Sequence, residues 1–343
     1  MTFQHRMRRV LVYYDLGELR DAQRVESGHV NQNWVIQTTR GRYFLKHRHP
    51  ELQNRRVIRA QHALLDHLQK AGFPAPAILP TASGETLLVL DDEFYEIQGY
   101  IEGAPYEDAR SAHVQAAGIM LARYHDCVQG FTPWTLCHMG DLYDPPILTS
   151  HLTRLKALWT RIRDPALAEM VRQLASHEED LRSRFALHEQ LPHLVIHGDY
   201  HGGNLLFDGD RIVGVVDYDK ARWQPRIVEL AEVLIYFASS RPGHLKHLVY
   251  RGFLDWDKFT SFLQHYACAQ SVSLGKQEVR ALPDYIRCIW LSISLQRLLE
   301  KGHQPTEALE ALREVLSLGD WAAANRQRMI EACYSVLEGA RVS

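Results

Sequence analysis

Three polar side chains in one glycine-rich stretch have the types and spacing that phosphoryl transfer requires. His197, Asp199 and Asn204 follow the order His-x-Asp-x-x-x-x-Asn, between the apolar runs 194–196 and 205–207. In such chemistry a carboxylate orients the attacking hydroxyl and accepts its proton, and an amide oxygen a few residues later holds a metal ion. The two apolar runs predict short buried strands that would hold the intervening loop in place.

A second acidic residue follows at a distance that a β-hairpin would close. The turn-forming sequence Asp-Gly-Asp at 208–210 precedes a β-branched run over 211–216, and Asp217 comes directly after it. This pattern predicts a hairpin, which would return Asp217 to the side of Asn204. The carboxylate and the amide oxygen could then share magnesium ions that bridge nucleotide phosphates.

Two other interpretations compete for the same stretch. Asp and Asn in glycine-rich loops commonly serve only as turn formers. His193, His197 and His201 are spaced by four, so on a helix they would share one face, as zinc ligands can. The glycines at 198, 202 and 203 and the preceding β-branched run disfavour a helix here. The sequence therefore disfavours zinc.

The stretch His197–Asn204, followed by Val215–Asp219, resembles the catalytic core of the aminoglycoside phosphotransferase and choline kinase superfamily. The wider chain is most similar to its homoserine kinase-like branch, which also contains a bacterial stress-response Ser/Thr kinase. The resemblance implies a protein-kinase-like fold, with Asp199 as the catalytic base and Asn204 and Asp217 as Mg²⁺ ligands. It also implies ATP as the nucleotide, with GTP as the alternative.

The N-terminal part of the sequence predicts three strands. Residues 24–38 predict a strand, a polar turn and a second strand, and Tyr43–His47 predicts the third. The resemblance implies that Ser27 and Gly28, in the turn, bind the nucleotide phosphates through main-chain N–H groups. An ordinary hairpin turn would have the same composition. Lys46 is favoured as the cation that reaches the α- and β-phosphates, over a strand lysine that only extends to solvent.

The helix predicted over Asn54–Lys70 departs from the pattern of related kinases. Its apolar residues recur at helical spacing, and Gly72 and Pro74 end it. Kinase-like enzymes usually carry a glutamate on this helix that pairs with the strand lysine, and Gln61 occupies its position here. Gln61 could hydrogen-bond Lys46 but supplies no charge.

The following segments predict the end of a first lobe and the start of a helical one. Runs over 85–90 and 94–101 predict a hairpin. By resemblance, the main chain of Gly99 and Ile101 faces the adenine edge, although a plain strand end would have a similar sequence. Helical patterns dominate after these residues. The resemblance also places a structural acidic residue near Glu229, where it would hold the loop after the metal-binding aspartate.

The composition limits the class of protein. The 343 residues, 46% of them apolar, suffice for one large or two modest domains. A formal net charge of −2 gives no field that would attract nucleic acid or an anionic membrane. The five cysteines form no C-x-x-C pair, and no apolar run approaches the roughly 20 residues of a membrane span. We therefore expect a cytoplasmic protein, monomeric or homodimeric, with no nucleic-acid or membrane partner.

Together these patterns predict an α+β, two-lobed protein-kinase-like fold. A small β-rich nucleotide-binding lobe would span 1–100, and a large, mostly helical catalytic and substrate-binding lobe would span 101–343. The leading hypothesis is an ATP- and Mg²⁺-dependent kinase that phosphorylates a hydroxyl of a small molecule. A Ser/Thr protein kinase of the bacterial stress-response type and a weakly active nucleotide-binding module are the alternatives. Homoserine, choline, a sugar, an aminoglycoside and a protein are all compatible acceptors. Asp219, often acidic in related proteins, is left without an assigned role.

Overall fold

A computed structural model of the protein describes residues 3–25, 31–159, 164–186, 190–240, 253–301 and 305–340. Contacts within the chain divide it into two units. The first comprises Met1–Pro105, Thr132–His138 and Asn204–Ala221, and the second comprises Tyr106–Phe131, Met139–Gly203 and Arg222–Ser343. That residues 1–100 bind the nucleotide and residues 101–343 carry catalysis and bind the substrate stays a prediction.

The described residues form strands and helices throughout the chain. The strands are β1 Leu19–Val25, β2 Gln32–Thr38, β3 Arg42–His47, β4 Ile78–Leu79, β5 Leu88–Leu90, β6 Glu93–Gly99, β7 Ala104–Pro105, β8 His193–Ile196, β9 Leu205–Asp208, β10 Arg211–Val215 and β11 Arg222–Pro225. The helices are α1 Phe3–Leu11, α2 Arg55–Lys70, α3 Ser111–Cys127, α4 Trp134–Cys137, α5 Pro145–Trp159, α6 Pro165–Phe185, α7 Arg226–Phe237, α8 Trp256–Ala269, α9 Lys276–Lys301, α10 Pro305–Ala324 and α11 Arg326–Ala340.

The first unit is built on an antiparallel sheet of six strands. Its order is β1-β2-β3-β6-β4, and β5 pairs with β6. Alternate residues of the central strands, such as Ile36, Leu45 and Ile97, point into one apolar core. Met7 and Val10 of α1 lie three residues apart, so they share a helix face and pack into the same core. The second and third strands predicted at the N-terminal end are confirmed as β2 and β3, whereas the first strand, β1, overlaps its predicted position only at Arg24 and Val25.

Helix α2 forms where the periodicity predicts it. The side chain of Asn54 accepts hydrogen bonds from the N–H groups of Arg56 and Val57, which satisfies donors at the helix start. Its buried face includes Ile58, Leu65 and four further residues at helical spacing. Two polar side chains, Gln61 and His62, are among those four, and both take part in the site described below.

Two hairpins of the first unit turn at residues with positive φ. Asp91 and Asp92, with φ of 53° and 61°, join β5 to β6, and Gly209, with φ of 61°, joins β9 to β10. Asp and Gly tolerate this left-handed conformation better than other residues. The hairpins predicted around 91–93 and 208–210 are therefore confirmed. β9 also pairs with β7, which completes a small three-stranded sheet.

The second unit is mostly helical. One apolar core joins residues of α5, α6, α9 and α10, among them Leu155, Leu174, Leu291 and Leu312. A two-stranded ladder of β8 and β11 lies in the same unit. The predicted α+β class, with a small sheet-rich part and a larger helical part, is confirmed. No described helix is long and apolar enough to cross a membrane.

The contact of α3 with α8 depends on a glycine. A methyl group at Gly118 would lie 2.7 Å from the carbonyl oxygen of Phe262, a main-chain atom that cannot move aside alone. We expect Gly118→Ala to lower the free energy of unfolding by about 1–3 kcal/mol, although alanine is the better helix former. Chemical unfolding would measure it.

Gly339→Ala is the matched control for this substitution, because Gly339 is also helical and nothing lies within 4 Å of its added methyl. It should leave stability unchanged or slightly raised. Equal effects of the two substitutions would contradict the tight packing of α3 on α8.

Candidate active site

The hairpin β9–β10 brings the two predicted metal ligands to one end of a ladder. Leu205 pairs with Val215, and the N–H of Val216 donates to the carbonyl oxygen of Asn204 at 3.0 Å. Asn204 thus directly precedes β9, and Asp217 follows the end of β10. The predicted juxtaposition of Asn204 and Asp217 agrees with this main-chain register.

Asp217 has a main-chain conformation that is uncommon outside glycine. Its φ is 69°, in the left-handed region that Asp tolerates better than most residues. The side chain is 42% exposed, whereas its partner Lys46 is 4% exposed. The Asp217 carboxylate can therefore be reached from solvent, with the buried ammonium of Lys46 beside it.

Lys46 of β3 contacts two carboxylates of the segment after β10. Its Nζ lies 3.0 Å from Oδ1 of Asp217 and 2.9 Å from Oδ1 of Asp219. Burial alone would lower the pKa of Lys46, but Asp217 and Asp219 more than offset it, so the pKa is raised. The ammonium therefore stays charged in this buried position, as a phosphate-binding cation must.

The carboxylate of Asp219 contacts two segments of the first unit, one with Lys46 and Arg48 and one with Asn31. Its Oδ1 is shared by Lys46 and by Nη1 of Arg48, at 2.6 Å, and its Oδ2 accepts a hydrogen bond from Asn31. Only 14% of the side chain is exposed. Asp219 is thus a mostly buried counter-charge for Lys46 of β3 and for Arg48, which directly follows β3.

Arg48 continues the network to Glu96 on β6. Nε and Nη2 of Arg48 donate to Oε2 of Glu96 at 3.0 and 2.7 Å, and His62 Nε2 lies 3.0 Å from the same oxygen. Gln98 donates to the other oxygen at 2.8 Å. Burial would raise the pKa of Glu96, but Arg48 and His62 outweigh burial and hold it well below its ordinary value.

The sequence reasoning missed Arg48 and Glu96. Lys46 and Arg48 lie two residues apart at the end of β3, so their side chains point to the same face, and Glu96 is a charged residue between the apolar residues Tyr95 and Ile97 of β6. In the ladder of β3 with β6, Lys46 lies directly opposite Glu96. The sequence feature that could have predicted this pair is a charged residue among the apolar residues of a strand, because a charged side chain is buried only when it has a partner.

Gln61 has a different partner from the one considered in the sequence. Its side-chain N–H₂ donates to the main-chain carbonyl of Asp219 at 2.8 Å, rather than to Lys46. The side-chain oxygen of Gln61 is buried and has no hydrogen-bond partner. Helix α2, which supplies the glutamate in related kinases, therefore holds the main chain at Asp219, and Asp219 supplies a carboxylate to Lys46.

The main-chain groups predicted to face adenine are partly engaged within the first unit. The N–H of Gly99 donates to the carbonyl of Ala77 at 2.8 Å, so a base could use the carbonyl of Gly99 but not its N–H. The side chain of Ile101 packs against Gly214, where a methyl would lie 2.8 Å from Ile101 Cγ2. This contact anchors Ile101 to the hairpin. The predicted phosphate-binding residues Ser27 and Gly28 lie outside the described residues.

Asp199 belongs to the second unit, in a loop whose main chain is held by buried side chains. The hydroxyl of Tyr124 donates to the carbonyl of Val195 in β8, just before the loop, at 3.0 Å, and in the loop Glu229 accepts a hydrogen bond from the N–H of Gly198 at 2.8 Å. Asp199 itself keeps a partly exposed carboxylate, 16% exposed and 3.8 Å from His201 Nε2. The loop is thus fixed at several points while the carboxylate stays accessible.

Glu229 contacts a different loop from the one that the resemblance implied. The resemblance placed an acidic residue here to hold the loop after the metal-binding aspartate, yet Glu229 binds the loop that carries Asp199. Its second oxygen pairs with His125 Nε2 at 2.9 Å, and His125 Nδ1 meets the hydroxyl of Tyr266 at 2.8 Å. A buried chain of three side chains therefore supports Gly198.

The histidines spaced by four do not share a helix face. His193 lies in β8, and residues 197–201 follow that strand as a loop. Among the residues that the structure describes, no group of three or more His, Cys, Asp or Glu side chains could hold a metal ion. The helical arrangement that a zinc site would need is therefore not formed.

The small sheet-rich unit and the larger helical unit form the α+β fold of protein-kinase-like phosphotransferases. The chain carries a buried cation, carboxylates and an amide oxygen, the kinds of group that phosphoryl transfer uses. Residues 21–262 match the phosphotransferase enzyme family designated APH. Because the match covers most of the chain, the protein belongs to this family. It is a kinase that acts on a hydroxyl of a small molecule.

Individual relatives support the homoserine kinase-like branch and the fold. A homoserine kinase of Sinorhizobium medicae is 26% identical over 317 residues, which cover 90% of this chain and 88% of that protein. A microcompartment-associated aminopropanol kinase superposes with a TM-score of 0.69 at 14% identity, over 95% of this chain and 98% of its own. An amicoumacin kinase solved with AMP-PNP and Ca²⁺ superposes with a TM-score of 0.66 at 14% identity, over 94% of each chain. The protein-kinase-like fold is confirmed.

Proposed function

We propose that this protein transfers the γ-phosphate of ATP, in the presence of Mg²⁺, to the hydroxyl of a small amino alcohol, with homoserine as the first candidate. The observation that carries the proposal is the pairing of Lys46 with Asp217 at 3.0 Å, beside the hairpin that also ends at Asn204. A fixed cation beside an exposed carboxylate and an amide oxygen suits a metal-bound nucleotide triphosphate.

The donor set fits magnesium. Mg²⁺ prefers oxygen ligands and usually takes one or two protein carboxylates together with nucleotide phosphates and water. Asp217 and Asn204 are oxygen donors of this kind, and we assign them as its ligands. When bound, MgATP supplies the phosphoryl group and neutralises charge that develops on it. Ser27, Gly28, Gly99 and Ile101 are retained as proposed nucleotide contacts.

The chain's own residues then act through position and charge. We assign Asp199 as the base that orients the acceptor hydroxyl and takes its proton, and Lys46 as the cation that holds the phosphates. The anchoring of the Asp199 loop by Tyr124 and Glu229 supports this role, because a positioned base loses little orientation on binding. Phosphoryl transfer asks for little covalent work from the protein beyond this.

Charged groups of the second unit support an amino alcohol as the acceptor. The hydroxyl of Tyr143 donates to the buried Glu232 at 2.8 Å. Burial, Glu232 and Asp199 hold the pKa of Tyr143 well above its ordinary value. Glu232 also interacts electrostatically with Arg222. Charges of both signs suit an acceptor that carries an ammonium and a carboxylate.

The test is acceptor-dependent ADP formation with MgATP across a panel of hydroxyl compounds. The panel contains homoserine, aminopropanol, choline, a sugar, an aminoglycoside and a generic protein substrate, each measured with Mg²⁺ and with a chelator. We expect the highest kcat/KM with an amino alcohol and loss of turnover when Mg²⁺ is removed.

Each other result has a defined meaning. Turnover with the protein substrate alone would replace the small-molecule proposal with a protein kinase. Nucleotide binding without turnover on any acceptor would favour a binding module, and absence of nucleotide binding would overturn the proposal. Turnover that is highest with the sugar, choline or the aminoglycoside would keep the kinase and reject the amino alcohol.

A further inference from the structure

The carboxylate that usually holds the strand lysine of a protein-kinase-like enzyme is missing from α2, because Gln61 occupies the position. Lys46 is nonetheless buried and paired, with Nζ 2.9 Å from Asp219 and 3.0 Å from Asp217. An ammonium in a buried position needs a counter-charge. The question is which of the two aspartates supplies it when Asp217 is engaged elsewhere.

We propose that Asp219 is the positioning residue for Lys46 and takes the place of the missing helix glutamate. The proposal rests on the proposed ATP-dependent function, in which Asp217 serves a metal ion. Asp219 remains with Lys46 in that state, because its own oxygens are directed at Lys46, Arg48 and Asn31.

The surroundings of the two aspartates separate their tasks. Asp217 is 42% exposed, so its carboxylate can turn to a ligand, whereas Asp219 is 14% exposed. Oδ1 of Asp219 is held by Arg48 Nη1 at 2.6 Å, and Arg48 is itself fixed by two hydrogen bonds to Glu96. Charge-assisted pairs of this kind have a defined geometry. The position of Asp219 is therefore set from β6 through Arg48.

Gln61 contributes to the same arrangement through the main chain. Its N–H₂ donates to the carbonyl of Asp219 at 2.8 Å. A glutamate at this position would have no proton to donate to that carbonyl. Gln61 and Asp219 thus act together. Gln61 of α2 holds the main chain at Asp219, and the carboxylate of Asp219 holds Lys46.

The test compares Asp219→Asn with the wild-type protein in nucleotide binding and in kinetics. We expect kcat/KM for ATP to fall about 10- to 100-fold, since a charge-assisted contact to the phosphate-binding lysine is loosened. KM for the acceptor should stay unchanged, and the dissociation constant of a non-hydrolysable ATP analogue should rise. Asp208→Asn, on the same hairpin and 74% exposed, is the matched control and should change none of these values.

Rescue distinguishes positioning from a general structural role. Gln61→Glu, added to Asp219→Asn, places a carboxylate on α2 at the position of the usual helix glutamate, and its pairing with Lys46 should restore part of the lost kcat/KM. In the wild-type background Gln61→Glu should lower kcat/KM for ATP, because a carboxylate cannot donate to the carbonyl of Asp219. If Asp219→Asn does not fold, Asn31→Ala loosens the same carboxylate more gently and should shift KM for ATP in the same direction.

The outcomes separate this inference from the proposed function. Wild-type turnover with unchanged ATP kinetics in Asp219→Asn would overturn the role of Asp219 and leave the kinase intact. Losses spread equally over ATP and acceptor, without rescue by Gln61→Glu, would overturn it as well. If the wild type shows no acceptor-dependent turnover, the proposed function fails, and the affinity for the ATP analogue still decides whether Asp219 positions Lys46.

Discussion

Asp199→Asn should lower kcat by about 10²- to 10⁴-fold, the range that a positioned general base contributes. Asparagine has nearly the shape of aspartate, but its amide cannot accept the proton of the acceptor hydroxyl. The main-chain anchors of the loop, which Tyr124 and Glu229 supply, do not involve the carboxylate of Asp199. The loop should therefore keep its conformation, and nucleotide affinity should be unchanged.

Steady-state kinetics with saturating MgATP and the best acceptor of the panel would measure the loss, and calorimetry with an ATP analogue would measure binding. Glu179→Gln on α6 is the control, because Glu179 is an exposed carboxylate in the same unit. It should keep wild-type kinetics. If Asp199→Asn keeps most of the wild-type kcat, another group accepts the proton, and the assignment of Asp199 is wrong.

The parts of the site that local sequence determines were predictable. β8, β9 and β10 follow from short apolar runs, and the turn at 208–210 closes a ladder that fixes Asn204 near Asp217 within a short stretch of chain. Helix α2 likewise carries its own start signal in Asn54 and its own periodicity. Such features depend on neighbours in sequence, so a pattern of residue types is enough to predict them.

The charged network was not predictable because its contacts are distant in sequence. Lys46 and Asp217 are separated by 171 positions, and Gln61 and Asp219 by 158. Local patterns allowed Lys46 to be an ordinary strand lysine, and only the resemblance favoured its role. Which polar residues are buried together depends on how β3 pairs with β6, and residue types alone do not fix that register.

The partner of Glu229 was also not predictable from local sequence. The resemblance implied a structural acidic residue near Glu229, and Glu229 is fully buried and hydrogen-bonded. The expected partner was the loop after Asp217, whereas Glu229 accepts from Gly198, a contact that depends on the packing of α7 rather than on local sequence. The contact of Glu229 with Gly198 spans 31 positions.

Glu96→Gln should lower the free energy of unfolding by about 3–5 kcal/mol, the usual effect of removing one partner of a buried ion pair. Glu96 is fully buried and accepts from Arg48, His62 and Gln98. An amide in its place would turn its N–H₂ group toward hydrogen-bond donors, and Arg48 would lose one of its two carboxylate partners and keep only Asp219. Urea unfolding at neutral pH would measure the loss. Glu93→Gln is the control on the same strand; Glu93 is 42% exposed, so about 1 kcal/mol or less is expected.

The pH dependence of that loss gives a second, sharper test of the charged network. Because the pKa of Glu96 in the folded protein lies well below its ordinary value, its stabilising effect is fully present above the unfolded-state pKa of about 4.3. As the pH falls below that value, the unfolded state takes up a proton before the folded state does, so the wild type loses the advantage that Glu96 supplies. The stability difference between wild type and Glu96→Gln should therefore be constant from about pH 7 to pH 5 and shrink toward pH 3. A difference that stays constant over the whole range would mean that the Glu96 carboxylate is not held ionised by Arg48 and His62.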